Sequence, residues 1–492
     1  MMWIYKTIII PILSYGAVIW AMNLTKSQIR KINTIQTLAQ HMITRCKTST
    51  PKVLLNILLN MLPMENKVES IALKRAITLK TERHWNIHST KTDKYQTTKE
   101  KIDWMLKEFI KINPNLTTDR IRPVSILNKK YDIKIKNRNE VIIKDCQENI
   151  LIFTDGSKTI TGQTGYGITF SEEEINEISE PLPPHSSIFQ AETIAIWQAS
   201  KIINHINLSN LIIEIYTDSQ AVLNSVQKRT TKNEIIRNCH NILNELGTNN
   251  KVTLNWVPGH EGYEGNERAD HLAKIGSMKS PTNPIYNKIP FKNLENKINM
   301  YYQNSIINRY KYSDISEEAK SLTNTLLKLT NHNPYKITKL IITYPGYKLG
   351  ILTQILSNHN SLNYHMTRAK LRYDEYCDYC TEVMKHCDPN WSTNCLETAQ
   401  HILCTCPYFN NLRKDIFNVY QIKNDQLHEI TKHIKSLTNK IIYFFEKTKI
   451  LNREPKISKR DLSPERIIKQ GRNKRKNNIN ISTNANKRIR CI

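Results

Sequence analysis

Nine of the thirteen glycines of this 492-residue chain fall between residues 150 and 277. Glycine supplies the tight turns and close backbone approaches that alternating strands and helices need. That stretch therefore reads as an α/β domain, and the glycine-poor flanks read as helical. Charge makes the same division. The chain carries 71 Lys and Arg against 44 Asp and Glu, a net charge of +27, yet residues 150–277 hold nine basic and fifteen acidic residues. The whole basic excess lies in the flanks, which points to a polyanionic partner, nucleic acid ahead of an acidic membrane surface and of plain solubility. The length predicts two to four domains. With 39% hydrophobic residues, a wholly disordered chain is excluded.

Within the glycine-rich stretch the periodicities resolve into elements. Asn149 to Asp155 is an apolar strand that stops at Asp155-Gly156-Ser157, and Gly165 to Phe170 alternates like its hairpin partner. Ser187 to Ile203 has helical spacing, with Ile188, Ala191, Ala195 and Ala199 on one stripe and Glu192 within it. Leu211 to Tyr216 is a β-branched strand leading to Asp218, after which Ser219 is placed to cap a helix. Val252 to Val257 is another strand. It runs through the loop Gly259–Gly265 into a helix that Asn266 is placed to cap. Taken singly, Glu192 reads as a solvated acid, Asp270 as a surface acid and His260 as an exposed loop histidine. Taken together, two acids at strand ends and two on helices over the same sheet converge on one edge. Four carboxylates suit Mg²⁺, which prefers oxygen ligands, and two such ions suit in-line displacement at phosphorus.

These residues carry a resemblance. Thr154-Asp155-Gly156-Ser157, Gln190-Ala191-Glu192, Tyr216-Thr217-Asp218-Ser219 and the run WVPGHEGYEGNERADHLA at 256–273 occur in that order and resemble type 1 ribonuclease H. The resemblance implies a mixed five-stranded sheet with flanking helices over residues 148–278. It also implies a metal-dependent endonuclease that cuts the RNA strand of an RNA:DNA hybrid. Asp155, Glu192, Asp218 and Asp270 would bind two Mg²⁺, with Mn²⁺ able to substitute. His260, on its glycine-flanked loop, would assist proton transfer or product release, tasks suited to imidazole near neutral pH. The implied substrate contacts are Gly156, Ser157, Gln190, Ser219 and Gln220. Two features depart from the pattern. Ile188-Phe189-Gln190 stands where many cellular members carry polar residues that touch RNA, and no Trp- and Lys-rich basic handle lies between Asp218 and Trp256. Charge for binding must then come from the flanks, because phosphate neutralisation by Lys and Arg dominates affinity. An integrase-like strand-transferase would share the general fold. The Glu192 helix between the first two aspartates, together with the GHEGYEGNERAD run, argues against it.

Before residue 150, Lys26–Cys46 and Glu65–Thr81 place apolar residues at helical spacing, and 125–147 reads as a polar, basic linker after a helical region at 1–124. A second helical region spans 285–371, a cysteine-rich module 372–415 and a further helix 416–451. The basic tail 452–492 reads as disordered. Six of the ten cysteines cluster between 377 and 406, which favours metal over disulfides. Cys377, Cys380, His401 and Cys406 form a CCHC arrangement suited to tetrahedral Zn²⁺. Cys387, Cys395, Cys404 and His386 compete as ligands, and reduced structural thiols are the alternative.

PILSYGAVIW at 11–20 and INTIQTLAQHMITRCKTSTP at 32–51 resemble the region after the polymerase palm in jockey-like non-LTR retrotransposon reverse transcriptases. LGILTQILSNHNSLNYHMTRAKL at 349–371, leading into the CCHC cluster, resembles the segment such elements place after ribonuclease H. No [FY]-x-D-D polymerase box is present. The chain thus looks like the C-terminal part of a retroelement polyprotein that binds RNA:DNA hybrid and, through its basic flanks, other RNA or DNA. The rival reading is a retroelement remnant that binds nucleic acid without cutting it. The apolar run Ile8–Trp20 after Lys6 has the outline of a signal peptide. It is too short to span a bilayer and is interrupted by Pro11, Tyr15 and Gly16. The expectation is an intracellular protein, nuclear or cytoplasmic, with no membrane partner. Asn473–Lys476 and Lys487–Arg490 read as a nuclear-localisation or nucleic-acid patch or, equally, as a solvated tail.

Overall fold

The computed structural model describes residues 1–82, 98–108, 117–138, 149–172, 174–206, 209–315, 317–380, 395–423 and 433–452. Two units emerge, each assembled from separated stretches. One joins 11–29 to 64–305, and the other joins 1–10 and 30–63 to 306–492. The boundaries expected at 124 and 285 do not delimit them, because packing brings together helices far apart in sequence. The tail patches, Cys387 and His386 lie outside the described residues, as do 139–148 and 453–492.

In the first unit the strands are β1 (Arg120–Ser125), β2 (Tyr131–Lys134), β3 (Asn149–Lys158), β4 (Thr164–Phe170), β5 (Ile178–Leu182), β6 (Ile212–Thr217), β7 (Thr230–Asn233) and β8 (Lys251–Trp256). Six of them form one mixed sheet in the order β2-β8-β6-β3-β4-β5, while β1 and β7 pair separately as an antiparallel ribbon. The sheet thus has one strand more than the five expected. The extra edge, β2, falls inside the stretch read as a linker. It is four residues long, with Tyr131 and Ile133 turned to the core and Asp132 and Lys134 outward, and parallel pairing of Tyr131 through Lys134 with Val252 through Asn255 makes it a strand. Sequence periodicity could not supply that partner.

The Ile188–Ile206 helix lays Ala191, Ile194, Ala195, Ala199 and Ile203 on Ile150, Ile152, Ile168, Ile213 and Ile215 of the sheet. Ile188, expected on that stripe, is 47% exposed because the helix begins with it, ahead of the buried turns. The Glu234–Asn249 helix packs beside it, capped by Asn233, whose side chain accepts from the amides of Ile235 and Ile236. On the other face, the Glu264–Met278 helix lies directly on β3 and β4. Gly167 makes that approach possible: a Cβ there would stand 2.3 Å from the carbonyl oxygen of Ala269. This helix starts at Glu264, two residues before the expected cap. Asn266 is buried in its first turn instead.

His240, on the Glu234–Asn249 helix, is buried with Nδ1 against the hydroxyl of Tyr131 on β2. Burial first, and the charge of Lys129 second, lower its pKa to about 4. As pH falls from the ordinary value of 6.5 toward 4, the unfolded chain takes up this proton before the folded one. Stability present above 6.5 is therefore lost across that window, by about 2–3 kcal/mol from this group. A His240→Gln variant should show a smaller drop in denaturant midpoint between pH 7 and pH 5 than the parent. Equal drops would contradict the assignment.

The second unit is helical. Its Lys52–Leu58 helix packs on Pro334–Ile341, where Thr338 Oγ1 donates to the carbonyl of Leu58 at 2.9 Å. Gly346–Ser357 packs between Glu317–Leu329 and Ile434–Thr448. Among the described residues no single helix is long and apolar enough to cross a membrane. The bent pair Met2–Leu13 and Ala17–Asn23 reaches that length and composition only jointly.

Candidate functional site

The acid-bearing edge is created where a parallel ladder stops. β3 pairs in parallel with β6 as far as Phe153 opposite Tyr216, then continues past Asp155 to Lys158 while still paired antiparallel to β4. Asp155 is thus not at a strand end, as expected, but three residues inside β3. Asp218 follows the end of β6 directly, and its backbone carbonyl accepts from the indole of Trp256 at 3.0 Å. Glu192 reaches this edge from the Ile188–Ile206 helix because the neighbouring β3 residue has no side chain. A Cβ on Gly156 would lie 2.5 Å from the amide nitrogen of Glu192 and 2.8 Å from its Cγ. Gly156 therefore acts by admitting the helix.

Carboxylate oxygens of Asp155, Glu192 and Asp218 lie within 4.8 Å of one another. Crowding like charges in a desolvated place raises their pKa values. Burial, then the charge of Asp218, pushes Asp155 up to about 8. Burial pushes Glu192 up to about 7, against a hydrogen bond from Ser219. Asp218 is raised by burial, with His260 opposing and Asp270 reinforcing the shift. Glu192 Oε2 is buried and has no hydrogen-bond partner. An orphaned carboxylate oxygen inside an anionic cluster fits a divalent cation, and these three residues would hold it.

Asp270 stands slightly apart. It acts electrostatically on Asp155 and Asp218, but its oxygens group with His260 and Glu267 within 4.8 Å. One of them is paired with Lys274 Nζ at 2.5 Å. Glu267 and Lys274 were not legible as site residues, although the i,i+4 spacing of Asp270 and Lys274 was the available signal. His260 is exposed on its loop with φ +56°.

The implied substrate contacts divide. Gln220, first residue of its helix, is exposed, and Ser157 is half-buried beside the cluster. Ser219 stands beside Glu192, where its hydroxyl favours the ionised carboxylate, and makes no side-chain cap, contrary to its expected role. Gln190 is 0% exposed, and this corrects its assignment as a substrate contact. Its Nε2 donates to Asp119 Oδ2 at 3.0 Å and to the carbonyl of Lys288 at 3.3 Å. The sequence shows only a polar residue beside Glu192, and the buried acid that turns it inward is 71 residues away.

In the helical unit, ligand atoms of Cys377, Cys380, His401 and Cys406 lie within 4.8 Å of one another. Cys380 Sγ is 3.2 Å from His401 Nε2 and 3.7 Å from Cys406 Sγ. His401 Nδ1 is oriented by Thr405 Oγ1 at 3.1 Å. Cys404 and Cys395, the described competitors, fall outside this group. S–H donation from Cys377 and Cys380 holds the Cys406 thiol well below the usual thiol range. Fully buried Arg413 braces the cluster. Its guanidinium donates to the carbonyls of Tyr420, Ile402, Leu403 and Cys406 and to Asn410 Oδ1.

Residues 147–278 match the family model described as RNase H. Ribonuclease H of Nitrosomonas eutropha is 28% identical over 153 residues, which is 27% of this chain and 93% of that protein. Mouse Ribonuclease H1 is 27% identical over 149 residues, and the chain spans about half of its length, 52%. Among solved structures, RNase H1 of Halobacterium salinarum is similar over 27% of this chain and 99% of that one, at 21% identity and a TM-score of 0.22.

Proposed function

We propose that this chain is a metal-dependent endonuclease that hydrolyses the RNA strand of RNA:DNA hybrids. The observation that carries the reading is the trio Asp155, Glu192 and Asp218, with oxygens within 4.8 Å and raised pKa values, inside a segment that matches the ribonuclease H family. Asp270 completes a set of four acids when Lys274 releases it. Bound divalent cations, two Mg²⁺ or Mn²⁺, would supply Lewis acidity and charge neutralisation for in-line displacement at phosphorus. The chain's own residues do the rest. Ser219 orients Glu192, Trp256 anchors the Asp218 backbone, and exposed His260 stands close enough to Asp218 and Asp270 to carry a proton away from the site. Gly156, Ser157 and Gln220 border the place where a scissile phosphate would lie. With an acidic catalytic segment, phosphate contacts fall to the basic flanks.

Cleavage of a labelled hybrid beside double-stranded RNA and duplex DNA, with Mg²⁺ or with chelator, tests this. Mg²⁺-dependent loss of the hybrid's RNA strand alone is expected. Salt-sensitive binding without cleavage would favour the non-catalytic reading instead.

We further propose that Cys377, Cys380, His401 and Cys406 hold one structural Zn²⁺, for which the CCHC ligand distances and the oriented imidazole are the support. Three thiolates around a divalent ion leave one negative charge, and buried Arg413 is its counter-charge. Blocking thiols in unfolded protein should release one zinc per chain. Cys380→Ser should abolish that zinc and Cys404→Ser should retain it. Zinc lost equally in both would sink the assignment. The resemblance of the flanks supports an origin in the C-terminal part of a non-LTR retrotransposon polyprotein, and action in the nucleus or cytoplasm where hybrids form.

A further inference from the structure

The helical unit contains a cavity of about 510 Å³, bordered by the start of the Lys52–Leu58 helix, the end of the Phe291–Lys311 helix and the stretch 358–368. That size lies in the ~300–1,000 Å³ range of small-ligand pockets and exceeds what an isolated phosphate needs. Arg309 and Arg368, both exposed, line it, and Asp314 is the one acid among the described lining residues. His359 and His365 face each other with ring centroids 4.4 Å apart. The hydroxyl of Ser49 lies between them, 3.2 Å from His359 Nδ1 and 3.4 Å from His365 Nε2. Lys47, bonded through Nζ to Ser361 Oγ at 2.9 Å, adds its charge to both imidazoles.

A second observation points to a missing acceptor. Asn358 is 5% exposed and lines the cavity. Its Oδ1 accepts from the amide of Ala399 at 3.1 Å, while its Nδ2 has no hydrogen-bond partner. Buried polar groups left unpaired are uncommon because each forfeits its hydration, so the donor is matched to something that enters the cavity. Tyr364 adds an aromatic ring, with the Arg368 guanidinium 5.6 Å from its centroid. Guanidinium and amide N–H groups recognise phosphate oxygens, and aromatic rings stack on bases.

We propose that this cavity is a nucleotide pocket that holds a phosphate among Arg309, Arg368 and Asn358 Nδ2, with the attached nucleoside beside Tyr364. It would be a nucleic-acid-binding site made of other residues than the carboxylate cluster, and it would bind whether or not that cluster cleaves. The phosphate can come from a strand terminus or from a free nucleotide.

The test uses the full chain and fluorescent single-stranded DNA ten-mers phosphorylated at 5′, at 3′ or at neither end, with AMP as a competitor and as a calorimetric ligand. One terminal phosphate should tighten binding about tenfold. The double variant Arg309→Gln/Arg368→Gln should lose that preference, yet bind the unphosphorylated strand and melt as the parent does. AMP that displaces only the phosphorylated preference would identify free nucleotide as a further ligand. A preference that survives AMP would identify the strand end alone. Equal binding of all three strands with no heat from AMP would overturn the proposal, as would a preference unchanged in the double variant.

Discussion

Asp155→Asn should abolish hybrid cleavage, by about 10³-fold or more, and should at the same time raise the melting temperature of the metal-free protein. The two effects share one cause. Burial and the charge of Asp218 lift Asp155 from its ordinary 3.8 to about 8. A carboxyl whose folded pKa is raised contributes stability that is full below pH 4 and is lost as pH climbs through 4 toward 8, because the unfolded chain releases the proton more readily. An amide carries no such penalty. Without metal the variant should therefore melt above the parent by roughly 5 °C at pH 8, with the gap closing toward pH 5. Mg²⁺ reverses the order: it neutralises the cluster in the parent and finds one ligand fewer in the variant. Melting curves at pH 5, 6.5 and 8, with Mg²⁺ or without it, separate these contributions. A metal-free variant that melts below the parent at pH 8, or that keeps the full Mg²⁺ shift, would show that the three carboxylates are not a strained metal cage.

Asp119→Ala should cost about 3–5 kcal/mol, more than any surface substitution in the same unit. Asp119 is 5% exposed, yet it ties three other parts of the chain to its own. Its Oδ2 accepts from Gln190 Nε2 and Asn233 Nδ2, each at 3.0 Å, and its Oδ1 accepts from the amide of Phe291 at 2.8 Å. Its backbone carbonyl accepts from Glu234 at 2.8 Å, and its amide donates to the carbonyl of Ile289 at 3.1 Å. Alanine leaves three donors without acceptors. Because Gln190 lies two residues before Glu192, the loosened helix should also show a weaker Mg²⁺ shift in melting. Asp119→Asn, which keeps the shape and part of the bonding, should fall between alanine and the parent. If the alanine variant unfolds within about 1 kcal/mol of the parent, the junction is not holding the unit together.

The acids themselves were legible because each stands in a short local context that periodicity can read. An apolar strand running into Asp155, another running into Asp218, and helical spacing around Glu192 and Asp270 need only near neighbours to be recognised. The same holds for Cys377-x2-Cys380 and His401-x4-Cys406, where spacing along the chain already limits which atoms can meet. Residues whose role depends on a distant partner were misread. Gln190 reads as a substrate contact, yet Asp119 takes its amide, and Ser219 reads as a helix cap, yet its side chain makes no cap hydrogen bond. Tyr131 to Lys134 looked like linker until β8 offered a ladder.

The sequence by itself determined the class of the glycine-rich segment, the positions of its carboxylates and the uneven distribution of charge. All three are properties of composition and near-neighbour pattern. Only the tertiary structure decided which acids share a site. It placed Asp155, Glu192 and Asp218 together and left Asp270 to Lys274, through packing distances set by bare positions such as Gly156 and Gly167. It also brought Asn358 and the facing His359 and His365 to one cavity with Arg309. These are long-range placements, and a linear pattern of side-chain types does not encode the distance between residues that are far apart along the chain.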